Sequence, residues 1–380
     1  MERPQFKALR RAYGFDEVAL VPGEITINPD QTSVEFNVGN ITIKTPVMAA
    51  ALDAVSSPEF SIQMHKQGGI AVMNLEGIQT RYTNPEDALH EIISAPSDKA
   101  AAVIQKVYSA PIQPSLVAER VKQVKAAGAL CAVSSTPAMT KKFAPAAVEA
   151  GADIYVVQST VTTARHISKS EKGLVFSDLI KSIKAPVMVG NCVTFSTALE
   201  LMETGIAGLL IGVGPGAICT SREVLGIGVP QVTATLDCAA AREEFYRRTG
   251  KYVPIVTDGG IRTGGDVCKS FACGADGIML GSSLAQSTEA PGKGYSWGMA
   301  APNPVLPRGT RIKVGTTGSL KKILFGPTSK SDGTENFMGA LHIAMGMCGA
   351  FTIRDMHKVE VVIAPAIKTE GKHYQMLGSV

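Results

Sequence analysis

The sequence predicts a (β/α)8 barrel, and three observations carry the prediction. Short apolar runs alternate with amphipathic stretches eight times along the 380 residues. Each run is mostly apolar on both side-chain parities, as a parallel strand covered on both faces should be. Finally, Asp53, Asn191, Cys219, Asp258 and Ser282 stand at or just past the C-terminal ends of these runs, the rim on which barrel enzymes carry their chemistry. A doubly wound open sheet is the competing architecture, and the placement of these residues favours the barrel.

Taken in order, the chain begins with Met1 to Arg11, polar and basic without an apolar core, so no secretory signal is expected there. The expected barrel strands are Thr45 to Ala51, Gly69 to Asn74, Leu130 to Ser135 and Asp153 to Gln158. Four more follow at Pro186 to Asn191, Gly208 to Gly212, Val253 to Asp258 and Gly277 to Gly281. Helical patterns fill the gaps, among them Thr140 to Ala150, Thr197 to Thr204 and Gly265 to Cys273. The connection Glu76 to Gly128 is long for a βα link and carries its own helical pieces, Pro85 to Ser94 and Ser115 to Ala127. After the last strand, Ser287 to Phe337 is rich in Gly, Pro, Thr and Lys and has no strong period, which predicts an active-site flap. The whole chain, 1–380, reads as one catalytic barrel domain.

Composition narrows the function. Hydrophobic content of 45% with 38 glycines and few aromatics suits an α/β protein with many strand-to-helix turns. A net charge of +4 without a Lys/Arg block gives nucleic acid or a membrane surface little to bind. No run of about 18 apolar residues is present for a membrane span. Seven cysteines in mostly apolar contexts read as free thiols in a reducing compartment, the cytoplasm. Cys268 and Cys273 have no CxxC companion, so no zinc site is expected.

The most informative stretch is Gly212-Val213-Gly214-Pro215-Gly216-Ala217-Ile218-Cys219-Thr220-Ser221-Arg222. Glycines at this spacing bring backbone amides and carbonyls close to a ligand, because no Cβ intervenes. A cysteine held among oriented amides is a candidate nucleophile. The plainer reading is a tight βα turn with Cys219 as a small buried side chain.

This loop resembles the active-site loop of the IMP dehydrogenase and GMP reductase family, and further blocks recur in the family's order. They are Phe15-Asp16-Glu17-Val18-Ala19-Leu20-Val21-Pro22, Pro46-Val47-Met48-Ala49-Ala50-Ala51-Leu52-Asp53 and Gly228-Val229-Pro230-Gln231. Asp258-Gly259-Gly260-Ile261-Arg262 follows, running through Gly274-Ala275-Asp276 to Met279-Leu280-Gly281-Ser282, with Glu370-Gly371 near the end. The resemblance is to the short members that lack the pair of regulatory CBS modules. On this reading 76–128 replaces that insertion.

The resemblance implies the dehydrogenase reaction: a cysteine thiolate attacks carbon 2 of IMP, hydride passes to NAD, and water releases XMP from the thioimidate. Cys219 matches the nucleophile, with Ser221 and Arg308 as further catalytic candidates. Asp258 matches the carboxylate that takes both ribose hydroxyls, although Asp-Gly-Gly is also the composition of a plain tight turn. Ala217, Gly260, Gly281 and Ser282 match the phosphate-contacting positions, Ala217 standing where a serine is usual. Asn191 and Gly298-Met299 match residues lining the purine, and Ala49, Gly216 and Gly259 match further substrate positions. Gln158, Ser159, Thr160, Gly212 and Gly214 match the cofactor side. A monovalent cation such as potassium is implied at carbonyls of Gly214, Gly216 and Cys219, with Glu370, Gly371 and Lys372 arriving from an adjacent subunit of a homotetramer or homo-octamer. Those last three residues read equally as a loose tail.

Two departures from the family pattern bear on the reaction. The strand that usually ends in an aspartate at the nicotinamide ribose ends here in Gln158-Ser159-Thr160-Val161, so a change at Gln158 is expected to act on the cofactor and not on the purine. In the flap, Arg308 stands before Gly309 where glutamate or glutamine is usual. The reductase thereby loses its proton-relaying glutamate without a substitute. The dehydrogenase's water-activating Arg-Tyr pair also has no clear counterpart in the flap. Neither machinery is intact, and the reductase's loss tips the balance to the dehydrogenase. Arg308 or Arg311 is left as a candidate base for water, or as a tether of the flap. None of the six histidines is assigned a catalytic role. GMP reductase and a non-catalytic nucleotide-binding regulator stay open as alternatives.

Overall fold

The computed structural model describes residues 7–167, 173–298 and 310–364. Eight parallel strands close into a barrel: β1 (Val47–Ala49), β2 (Ile70–Asn74), β3 (Ala132–Ser135), β4 (Ile154–Gln158), β5 (Val187–Cys192), β6 (Gly208–Ile211), β7 (Ile255–Asp258) and β8 (Gly277–Leu280). Seven fall within the expected runs, β5 extends one residue past its run to Cys192, and β8 pairs β1 to complete the cylinder. The helices are α1 (Pro58–Lys66), α2 (Pro85–Ser94), α3 (Ala100–Tyr108), α4 (Pro114–Ala126), α5 (Pro137–Glu149), α6 (Phe176–Ser182) and α7 (Phe195–Glu203). They continue as α8 (Ser221–Leu225), α9 (Gln231–Thr249), α10 (Gly264–Ala272), α11 (Ser282–Ala285), α12 (Leu320–Phe325), α13 (Phe337–Met347) and α14 (Ile353–Met356).

Strand parity divides the core. Met48, Ile70, Val72, Ile154, Val156, Met188 and Leu210 fill the barrel interior, while their neighbours Val47, Ala49, Ala71, Tyr155, Val157 and Leu209 face the helices. Both sets are fully covered, and that is why the strands read as mostly apolar runs without polar alternation. A hairpin of Phe36–Val38 and Ile41–Ile43 closes the bottom, its Phe36 ring lying against Gly277, where a Cβ would meet the ring at 2.8 Å. Nearby, Asp276 accepts from Arg242 Nη1 and from the amide of Ile255, both at 2.8 Å. This buried pair clasps α9 to the barrel floor. The Gly274-Ala275-Asp276 part of the last sequence block therefore sits at the end of the barrel away from the strand C-termini.

The long connection holds α2, α3 and α4. Arg120 of α4, 6% exposed, donates to the carbonyls of Gln79, Tyr82 and Thr83, tying the helix to the strand exit. In 287–337 the chain forms an antiparallel pair, Tyr295–Trp297 with Arg311–Lys313, and then α12. At the other edge Val18–Leu20 pairs with Val361–Ile363. No helix among the described residues is long and apolar enough to cross a membrane.

Candidate active site

The C-terminal ends of the strands surround a cavity of about 750 Å³, within the size range of small-molecule sites. On one side the chain leaves β6 through Gly212 at φ +148° and Gly214 at φ +89°. A Cβ on Gly212 would lie 2.0 Å from the carbonyl oxygen of Asp258, so only glycine lets the ends of β6 and β7 come this close. The loop is tied at its base: the Val229 amide donates to the Val213 carbonyl at 3.1 Å, and Gln231 Nε2 donates to the Ile211 carbonyl at 2.7 Å. Cys219 stands between these ties, partly exposed and lining the cavity, with Sγ 3.4 Å from the Ser221 hydroxyl.

No other cysteine lines the cavity. Burial pushes the thiols of Cys131, Cys268 and Cys273 up to about 12, which leaves them inert at neutral pH. Facing the cysteine loop is a second glycine turn, Gly259 and Gly260 at φ +95° and +80°. A Cβ on Gly259 would approach Pro215 to 3.1 Å, so the two turns pack against each other. Gly216, Ala217, Gly281 and Ser282 line the same cavity, and so does Gly298 from the strand that opens the flap region.

The polar floor is a three-residue network. Asn191 Nδ2 donates to Asp258 Oδ2 at 2.8 Å and to the Gly212 carbonyl at 2.9 Å. Gln158 Nε2 donates to Asn191 Oδ1 at 3.0 Å and to Asp258 Oδ2 at 3.3 Å. Burial pushes the Asp258 carboxyl up to about 6, partly offset by the Asn191 hydrogen bond. Asp258 Oδ1 has no hydrogen bond from this network, so a ligand hydroxyl finds an acceptor there. Ser159 and Thr160 line the cavity next to Gln158.

Three expectations need correction. Ala49 does not line the cavity; it faces the helices from within β1, while Ala50, Ala51 and Leu52, past the strand's end, line it. Arg311 does not reach the cavity either. Its guanidinium donates to the carbonyls of Ile92, Ile93 and Ala95 at the end of α2 and lies over the Tyr295 ring. It tethers this region, as one of the two sequence readings had it, but to backbone carbonyls and not to phosphate or carboxylates. Gln158 touches Asp258, so the expected separation of cofactor side from substrate side does not hold at that residue. Met299, Arg308, Glu370, Gly371 and Lys372 lie outside the described residues.

Sequence reasoning gave no role to several lining residues, including Arg222, Gln231, Arg262, Gln286, Val314 and Thr334. Arg222, Gln231 and Arg262 lay inside recognised blocks, and the other three carried no distinguishing signal of their own. Among the described residues no three His, Cys, Asp or Glu side chains are grouped to hold a metal. The carbonyls implied for a monovalent cation are of a suitable hard-oxygen kind. Gly216 accepts the Cys219 amide at 3.0 Å and keeps a second lone pair.

The family described as IMP dehydrogenase / GMP reductase domain matches residues 12–300. An uncharacterized oxidoreductase of Mycolicibacterium smegmatis is 36% identical over 366 residues, covering 94% of this chain and 98% of that one. The inosine-5'-monophosphate dehydrogenase of Cryptosporidium parvum is 27% identical over 93% of this chain and 92% of its own. Among solved structures, the IMP dehydrogenase/GMP reductase-like protein of Corynebacterium glutamicum superposes with a TM-score of 0.89 at 35% identity, over 96% of this chain and 97% of that one.

Proposed function

The chain belongs to the IMP dehydrogenase / GMP reductase family of oxidoreductases, and from that premise we propose that it oxidises IMP to XMP with NAD. The observation that carries the reading is the placement of Cys219 across one cavity from Asp258 and the Gly259-Gly260 turn. The Cys219 thiolate attacks carbon 2 of the purine, forming the S–C bond. The carbon 2 C–H bond then breaks, its hydride leaving to the acceptor that NAD would supply when bound. Water then adds at the same carbon, the S–C bond breaks, and Cys219 regains its thiolate as XMP leaves. Asp258 accepts from the ribose hydroxyls, and amides at Ala217, Gly260, Gly281 and Ser282 hold the phosphate dianion without a basic cluster. Ser159 and Thr160 serve the cofactor side, and Gln158 joins that side to Asp258. A monovalent cation at Gly214, Gly216 and Cys219, completed by Glu370, Gly371 and Lys372 of a neighbouring subunit, would order the loop within a homotetramer or homo-octamer.

The test follows reduced-cofactor absorbance with purified protein. NADH appearing with IMP and NAD supports the proposal. Consumption of NADPH with GMP makes the protein the reductase, and silence in both assays leaves a nucleotide-binding regulator.

Gln158→Asp places a second carboxylate within hydrogen-bonding reach of Asp258, where an amide N–H now donates. Like charges that close compete for ionisation. Michaelis constants for both NAD and IMP should therefore rise, and the pH below which IMP affinity declines should move up from about 6. Steady-state kinetics with each substrate varied in turn checks this; an effect confined to NAD would show Asp258 indifferent to its neighbour.

Arg308 is proposed as the group that activates the hydrolytic water. Its guanidinium is protonated in water, so it acts only from a desolvated, closed site. Arg308→Ala should then give a burst of about one reduced cofactor per active site followed by slow turnover, because the second step alone is impaired. Rapid-quench kinetics decides: a lost burst moves Arg308 to binding or redox, and full activity removes it from the mechanism.

A further inference from the structure

Outside the cavity lies a buried chain of polar side chains with no part in the chemistry above. Asp53, just past the end of β1, is 2% exposed and does not line the cavity. Its Oδ1 accepts from the Ile78 amide at 3.0 Å and its Oδ2 from the Tyr108 hydroxyl at 2.6 Å. The Tyr108 oxygen in turn accepts from Trp297 Nε1 at 3.0 Å. Indole can only donate and an ionised carboxylate can only accept, so the hydroxyl between them has a single satisfying orientation. The three residues come from the barrel rim, from α3 and from the strand Tyr295–Trp297. The next residue, Gly298, lines the cavity.

A second tether runs parallel to this chain. Trp297 pairs in register with Arg311, whose guanidinium holds the end of α2. Val314, three residues on, also lines the cavity. Thus α2 and α3 of the long connection anchor both sides of the hairpin base, and that base contributes a cavity wall. Apolar packing in the cluster of Ile78, Leu89, Ile104 and Val107 would bury Trp297 without a hydroxyl at 108. The hydroxyl adds direction.

We propose that Tyr108 is a positioning residue: by fixing Trp297 it sets the Gly298 wall against which the purine is oriented toward Cys219. The proposal rests on the dehydrogenase reading for the step it affects, though not for the coupling itself. Misplacing a reacting group by about 1 Å costs on the order of a hundredfold in rate. Loss of one hydrogen bond from a packed ring should displace the wall by less.

Tyr108→Phe keeps the ring and removes the hydroxyl. We expect kcat to fall by about tenfold while the dissociation constant for IMP by calorimetry stays within about twofold. Trp297 is the only tryptophan in the chain, so intrinsic fluorescence reads the same wall directly. IMP should shift its emission in the unmutated protein and much less in Tyr108→Phe. Tyr82→Phe is the control: its hydroxyl bonds the Val107 carbonyl at 2.8 Å on the same helix without touching Trp297. It should retain kcat and the emission response. Should Tyr108→Phe fail to fold, Arg311→Ala loosens the other tether and is read the same way. Unchanged kcat and emission response in Tyr108→Phe, or an equal loss in Tyr82→Phe, would overturn the assignment. If the unmutated protein does not oxidise IMP, the function reading falls, and the emission response to IMP in the two proteins still decides the coupling.

Discussion

Replacing Cys219 by alanine should reduce turnover by at least about four orders of magnitude while IMP binds within about twofold of its original affinity. The separation follows from where the groups sit. Cys219 is on the loop after β6, whereas the proposed ribose carboxylate is at the end of β7 and much of the phosphate region follows β7 and β8. Removing the sulfur deletes the bond-forming atom and leaves those contacts in place. Cys219→Ser should be nearly as inactive, since a hydroxyl is far less ionised than a thiol at neutral pH. Turnover is read by cofactor absorbance and affinity by calorimetry. Appreciable turnover in the alanine variant would remove Cys219 from the role of nucleophile. No other cysteine lines the cavity to replace it.

What the sequence made legible, and what it hid, follows from one physical distinction. Barrel strands covered on both faces are mostly apolar on both parities, so all eight were visible as runs. The same property concealed their facing: Val47 to Leu52 shows no polar alternation, and Ala49 was placed in the site although Ala50 lines it. Glycines at 212, 214, 259 and 260 were legible because positive φ and close backbone approach leave few other choices. Contacts between distant residues were not legible. Gln158 and Asp258 are 100 positions apart, and Tyr108 and Trp297 are 189 apart. Each residue could be flagged alone, but only the closed barrel brings the members of a pair together. The pairing of Val18–Leu20 with Val361–Ile363 is hidden for the same reason. Much of the buried face of α9 is small, including Ala234, Thr235, Cys238 and Ala241, so its helical period contrasts weakly with its exposed face.

Asp258→Ala should weaken IMP binding by about 2–4 kcal/mol, the loss expected for charge-assisted hydrogen bonds to a buried carboxylate. The position of this group predicts a pH dependence as well. Burial holds the Asp258 carboxyl at about 6, so the unliganded site takes up a proton as the pH falls below that value. The ionised form accepts two hydroxyls and the acid form loses an acceptor, so IMP affinity should be full above about pH 6 and decline below it. Stability runs the other way. A carboxyl whose folded pKa is raised binds its proton more tightly when folded, so its contribution to stability falls as the pH rises from about 4 to 6. Asp258→Asn abolishes that titration while keeping an oxygen to accept from Asn191 Nδ2. It should therefore bind IMP weakly and without the pH 6 inflection, yet unfold at a higher temperature than the unmutated protein at pH 7.5. Calorimetric titration of IMP between pH 5 and 8, with thermal unfolding at the same pH values, measures both. An unchanged affinity in Asp258→Ala would reduce Asp258 to a turn residue. A lower unfolding temperature for Asp258→Asn at pH 7.5 would show that the carboxylate stabilises the fold and is not held there for the ligand.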